Sequence, residues 1–311
     1  LLLDPENVTI SSASDSNGTL AAGSFAPSGD DSILNVNTLE TALASTNVTV
    51  TTGGAGSTGT QTGDIIVAAP VTWSSSNSLT LSAYRSILVS ANITNTGGAP
   101  VTLLSDNSGT STGTVSFYNG AIVSTAGAAI INYNPASYTS PTDYSGSVFG
   151  GGTLTAYMLV NDVNQLQNIS TNLGGTYALG KDIDATATAI WNGGAGFIPI
   201  GSQVNSISFN GVFDGQGHKV DQLTLASNPD AGLFGYVGKD ATVRNIGVTN
   251  VVLSVNSTGG YANIAALVAY NSGTITHSYA TGSLTVSSGK AIGGLVGYNS
   301  GGTIDQSYAD V

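Results

Sequence analysis

The chain has 311 residues, no cysteine, 42 glycines and a formal net charge of −12. Its six basic residues, Arg85, Lys181, Lys219, Lys239, Arg244 and Lys290, form no cluster, which excludes electrostatic capture of a nucleic-acid backbone or an anionic membrane surface. The missing cysteines exclude disulfides, thiolate metal sites and a thiol nucleophile, and no 18-residue apolar run is present to span a bilayer.

At 41% hydrophobic and 8% charged, the sequence is too apolar for a disordered chain and too poor in Lys, Glu and Arg for long helices. Leu1 to Ile10 reads as a strand, and the opening Leu1-Leu2-Leu3-Asp4 lacks a signal-peptide pattern. The expectation is a segment of a longer protein. Ser11 to Ser32 is rich in Ser, Gly and Asp and reads as a loop. Thr38 to Ala44 places Leu39 and Leu43 at helical spacing, enough for one turn.

From Asn47 a strand rhythm sets in: Val48/Val50, Ile65/Val67, Val71/Trp73, Leu79/Leu81, Ile87/Val89 and Val101/Leu103 each alternate with polar residues. Equivalent strands return after about 22 residues, as from Ile65 to Ile87 and from Leu79 to Val101. Three short strands per period make one turn of a parallel β-helix. A sandwich would need more hairpin turns of the Asn-Gly type than those at Asn17, Asn119, Asn192 and Asn210.

Tyr133 to Tyr144, with Pro135 and Pro141, reads as a loop. Asn161-Asp162 caps a short helix with Val163, Leu166 and Ile169 on one face, and Gly174-Gly175 ends it. Phe213 to His218 forms a tight turn between strands.

The last third repeats. Gly232-Leu233-Phe234-Gly235-Tyr236 returns as Ala266-Leu267-Val268-Ala269-Tyr270 and as Gly294-Leu295-Val296-Gly297-Tyr298. A second strand follows each copy, around Val243, Ile275 and Ile304. No such unit buries its own apolar face, so the units stack. The expected organisation is a strand-rich segment over 1–156, a continuation with a helical insertion over 157–230, and the repeats over 231–311, all in one stack.

Several blocks resemble a known family. Leu3-Asp4-Pro5-Glu6-Asn7-Val8-Thr9-Ile10, Asn77 to Ile93, Tyr177 to Gly201 and Gly211 to His218 are similar to shaft sequences of filamentous-haemagglutinin-like adhesins exported by two-partner secretion. The terminal copies resemble the GLUG motif, best kept at Gly294-Leu295-Val296-Gly297. The resemblance implies an all-β, right-handed parallel β-helix on a bacterial cell surface. It implies an outer-membrane transporter as partner of the full-length protein, and host-cell glycans or matrix exopolysaccharide as ligands. The secretion domain of that family is not among these residues, and Ala266 and Ala269 replace two glycines of the motif.

Among candidate functional residues, Asp182 and Asp184 share one face of a strand, where with Asp214 they could bind a cation or act as an acid/base set. The structural alternative is that they flank an inward Ile183 and face solvent. A lyase would also need a base, and Lys181 is the one local candidate. His218 sits in a Gly-rich turn, and His277 takes the place of Asn245 and Gln306 in the sister repeats, which reads as a polar turn position. Asp30-Asp31 could hold calcium but lacks a spaced Asp-x-Asx pattern. Tyr236, Tyr270 and Tyr298 recur once per repeat and form a ladder, either packed into the structure or open for stacking on sugar rings. Six Asn-x-Ser/Thr sequons, at Asn7, Asn17, Asn47, Asn92, Asn168 and Asn256, are no more than the composition gives by chance.

The sequence reading is a non-catalytic shaft segment with no cofactor and no metal. The rivals are a carbohydrate-binding module, which requires exposed aromatic rings in a row, and a polysaccharide lyase or hydrolase, which requires converging carboxylates.

Overall fold

The computed structural model describes residues 5–53, 59–225, 230–256 and 262–311. Leu1 to Asp4, and part of the glycine-rich stretch from Gly53 to Gly63, lie outside the described residues. Two compact units are present, Leu1–Ala136 with Thr142–Leu159, and Ser137–Pro141 with Val160–Val311. The fold is all-β with parallel sheets.

In the first unit the alternating residues form the strands that the rhythm predicts. Ile65–Val67, Val71–Trp73 and Leu79–Ser82 belong to three different sheets, and Ile87–Val89, Ile93–Asn95 and Val101–Leu104 visit the same three in the same order. Ile65 pairs with Ile87, Val71 with Ile93, and Leu79 with Val101, each in parallel register 22 residues on. The next strands, Val115–Phe117, Val123–Thr125 and Ala129–Tyr133, continue the rotation. Because side chains alternate across a strand, this register stacks apolar residues on apolar residues. Ile65, Val67, Ile87 and Val89 are all fully buried. Each such side chain contributes about 1.5–3 kcal/mol, set against the backbone entropy of ordering short strands.

Two local predictions differ from the structure. The stretch from Ser11 to Ser32 is not a loop throughout: Gly18–Ala21 and Ser24–Pro27 form an antiparallel hairpin. Its two-residue turn is Ala22-Gly23, both at positive φ, the backbone that matches strand twist. The predicted single turn at Thr38 is a two-turn helix, Val36–Leu43, capped by the Asn35 side chain and anchored by buried Leu39 and Leu43.

The second unit opens with the predicted capped helix, Val163–Asn168, where the Asp162 carboxylate accepts from the Asn164 and Gln165 amides at 2.8 Å each. The repeats then stack in register. Val243 pairs with Ile275 and Ile275 with Ile304. Phe234 pairs with Val268 and Val268 with Val296, which aligns the preceding Leu233, Leu267 and Leu295, all buried. The paired Asn271 and Asn299 add a side-chain hydrogen bond between strands, with Asn271 Nδ2 donating to Asn299 Oδ1 at 2.8 Å. Asn245, His277 and Gln306 form a column of corner residues with φ of 53°, 49° and 46°. Their shared left-handed backbone bends each repeat from one sheet into the next.

Leu267 is fully buried and Leu295 is 8% exposed. Leu267→Ala should therefore cost about 2–5 kcal/mol in urea denaturation, and Leu295→Ala distinctly less. Equal losses would show that the two positions do not occupy one graded column.

Candidate functional site

Each of the three aspartates singled out by sequence has its own hydrogen-bond partners. Asp214 ends the strand Val212–Asp214 and is nearly buried. Its Oδ2 accepts from Arg244 Nε at 2.7 Å, and its Oδ1 from Asn245 Nδ2 at 3.0 Å and the Gln216 amide at 2.9 Å. Arg244 and Asn245 lie one repeat on, because Asp214 and Arg244 are register partners. Asp182 Oδ1 instead faces His218 Nδ1 at 3.1 Å and the Lys219 amide at 3.2 Å, and the Asp182 and His218 side chains are 57% and 37% exposed. Asp184 accepts from the Thr186 hydroxyl and amide. Those bonds hold its carboxyl below the usual range, against a smaller opposing push from Asp221. Ile183, between Asp182 and Asp184, is buried. Asp30 and Asp31 are engaged by Thr60 and Gln61.

The first unit repeats the Asp214 arrangement. Asp64, buried, accepts from Arg85 Nε at 2.9 Å and Nη2 at 2.5 Å, from Thr62 Oγ1 at 2.8 Å and from the Ser86 amide at 2.9 Å. Burial pushes its carboxyl up, but these bonds outweigh burial and hold it below the ordinary value of 3.8.

The predicted tyrosine ladder exists, with half-exposed rings. Tyr236 meets Tyr270 edge-on, with centroids 5.1 Å apart at 85°, and Tyr270 stacks on Tyr298 at 5.3 Å and 28°. The Lys290 ammonium lies 5.6 Å from the Tyr298 ring centroid.

A groove that sequence reasoning missed lies beside the Asp214 corner. It holds about 480 Å³ and is lined by Asp214, Gln216, Gly217, Asn245, His277 and Tyr279. Its origin is a turn-length mismatch. Four residues separate Asp214 from Lys219, whereas two separate their register partners Arg244 and Gly247, and two separate Thr276 from Tyr279. The longer turn leaves open space over Gly217, where a Cβ would meet nothing within 4 Å. At the other end Gly247 interrupts a column that continues as Tyr279 and Tyr308, whose rings stack at 5.5 Å and 10°. Tyr279 leans over Gly247, where a Cβ would come within 2.4 Å of its Cζ. Gln216, Asn245 and His277 all carry left-handed backbone. The one sequence signal was the unequal turn length, readable only once the repeats are aligned.

No protein-family model matches the chain, and no solved structure matches it. Two curated relatives match parts of it. Halomucin of Haloquadratum walsbyi is 34% identical over 155 residues, 48% of this chain and 2% of halomucin. A protein named "Putative Gly-rich membrane protein" of Evansella cellulosilytica is 35% identical over 146 residues, 45% of this chain and 16% of its own length. The aligned parts are thus small fractions of both relatives. No helix among the described residues is long and apolar enough to cross a membrane.

The Asp214 carboxylate carries a buried network, so Asp214→Ala should cost about 1–3 kcal/mol by leaving Arg244 and Asn245 short of an acceptor. The double change Asp182→Ala with Asp184→Ala should stay within about 1 kcal/mol. Urea denaturation of both variants checks the contrast. A larger loss in the double variant would move the structural role to the exposed pair.

Proposed function

We propose that this chain is a scaffold segment of a large cell-surface or secreted protein, and that each unit is a right-handed parallel β-helix. The observation that carries the reading is the register: successive strands pair in parallel, position for position, and return to the same sheets in the same order. Parallel connections within one sheet are right-handed in nearly all proteins, and a stack of such repeats grows by nearest-neighbour contacts alone. The names of the two relatives support a surface or extracellular setting, and the length of halomucin relative to its aligned part supports a segment of something much larger. The finer reading, a shaft of an adhesin that holds attachment regions away from a cell, rests on the resemblance of the sequence blocks.

Non-catalytic use is supported by how the carboxylates are employed. Asp214 is engaged by structural donors, Asp182 holds His218 and the Lys219 amide in the following repeat, and Asp184 serves a local turn. The tyrosine ladder favours scaffold over sugar platform as well. Tyr270 and Tyr298 turn ring faces toward each other, whereas a sugar stacks on an open face.

A coil deletion tests the proposal. Removing residues 247–278 joins Ile246 to Tyr279, the register partner of Gly247. A solenoid closes over the gap with one repeat fewer, so the shortened chain should keep its β-sheet circular dichroism and a cooperative melt. In the producing cell, the full-length protein with the same deletion should still be labelled by antibody on intact cells. Loss of the fold, or labelling only after permeabilisation, would contradict the scaffold reading.

A further inference from the structure

We infer that the groove at Asp214, Gln216, Asn245, His277 and Tyr279 is a subsite for a neutral saccharide unit of a polysaccharide chain. The inference rests on the surface-scaffold reading only for its setting, and it gives that reading a ligand class.

The chemistry of the lining selects the ligand. The floor carries one carboxylate, Asp214, whose charge is met by Arg244 at 2.7 Å. An anion would face that carboxylate with the guanidinium already committed, in a chain of net charge −12. A metal ion would want several anionic or imidazole ligands, and no group of three or more His, Asp or Glu residues is so placed among the described residues. A purely apolar ligand would strand the amides and the imidazole. The rim instead offers two carboxamides, an imidazole and a tyrosine, a mixed set that can donate and accept toward hydroxyl groups. The volume of about 480 Å³ lies within the range of small-molecule sites. The groove crosses three successive strand ends, at Asp214, Asn245 and His277, and stays open rather than enclosed. A chain can therefore run through it while one unit occupies the space over Gly217.

The backbone supplies a second observation. Gln216 and His277 hold φ of 51° and 49°, a region that suits Gly best and Asn next. At Gln216 a glycine would serve the turn with less strain. His277 shares its backbone with the corner residues Asn245 and Gln306, so the strain that marks a side chain kept for binding is that at Gln216.

The same feature provides a clean test. Gln216→Gly with His277→Gly removes both rim side chains while giving each position the residue that best tolerates its backbone, so the fold should persist. Saturation-transfer NMR on the whole chain would use cellobiose, N,N′-diacetylchitobiose and lactose as neutral probes, with digalacturonate as the charged control. The expected result is transfer to at least one neutral disaccharide. Its affinity in the double variant should be weaker by about tenfold or more, the loss of two hydrogen bonds. No transfer to any neutral probe, binding of digalacturonate alone, or unchanged affinity in the double variant would overturn the subsite. Those outcomes leave the coil-deletion result untouched, so subsite and scaffold fail separately.

Discussion

Parallel register is the constraint on which the rest of this structure depends. Outside the Gly18–Pro27 hairpin, a short strand of the stack has no partner in its own neighbourhood. Its backbone groups are satisfied by strands one repeat before and one repeat after, as Ile275 lies between Val243 and Ile304. Side chains alternate with a period of two, so a slip of one residue would send every inward Leu, Ile and Val to solvent. The register therefore has to be enforced at many positions, and the sequence does so by repeating residue type within columns. Leucines follow leucines at 233, 267 and 295, threonines follow threonines at 242, 274 and 303, and tyrosines follow tyrosines at 236, 270 and 298.

The corners explain where the few charges go. Two of the six basic residues, Arg85 and Arg244, pair with nearly buried carboxylates at Asp64 and Asp214. In both cases the arginine comes from a later repeat than the aspartate, so the ion pair ties one repeat to the next. A buried carboxylate without such a partner would be costly, and the corner is thereby specific for the repeat that brings its own arginine. Asp182, Asp184 and Asp221 stay at the surface, where hydroxyl, amide and imidazole partners suffice. Glu6, Asp106 and Asp230 are buried as well, with Asp106 accepting from the Thr110 and Ser111 amides and Asp230 from the Val204 amide.

Much of the architecture was legible because it is periodic. The 22-residue return of Ile65 as Ile87 became a register pair, and so did that of Leu79 as Val101. The Asp162 cap was legible from local chemistry. The hairpin at Gly18–Pro27 was not, because its turn is Ala22-Gly23 rather than Asn-Gly and its strands show little apolar alternation. The groove was less legible still. Asp214 drew notice beside Asp182 and Asp184, and His277 as a polar turn position, but what joins the two is a turn two residues longer than its neighbours and a glycine where the next repeats carry tyrosine. Neither feature has meaning until Asp214 is aligned with Arg244 and Gly247 with Tyr279. The ion pair of Asp214 was not legible for the same reason, since its partner Arg244 lies 30 residues away.

The register can be tested directly because the chain has no cysteine of its own. Thr242 and Thr274 are partners on neighbouring parallel strands, at about 4.8 Å, within the Cα separation a disulfide spans. Thr242→Cys with Thr274→Cys should form an intramolecular disulfide under mild oxidation, read as a mobility shift and a cross-linked peptide. Thr242→Cys with Ile275→Cys should not, since the two side chains point to opposite faces. Efficient cross-linking of the second pair, or none of the first, would contradict the parallel register on which this account stands.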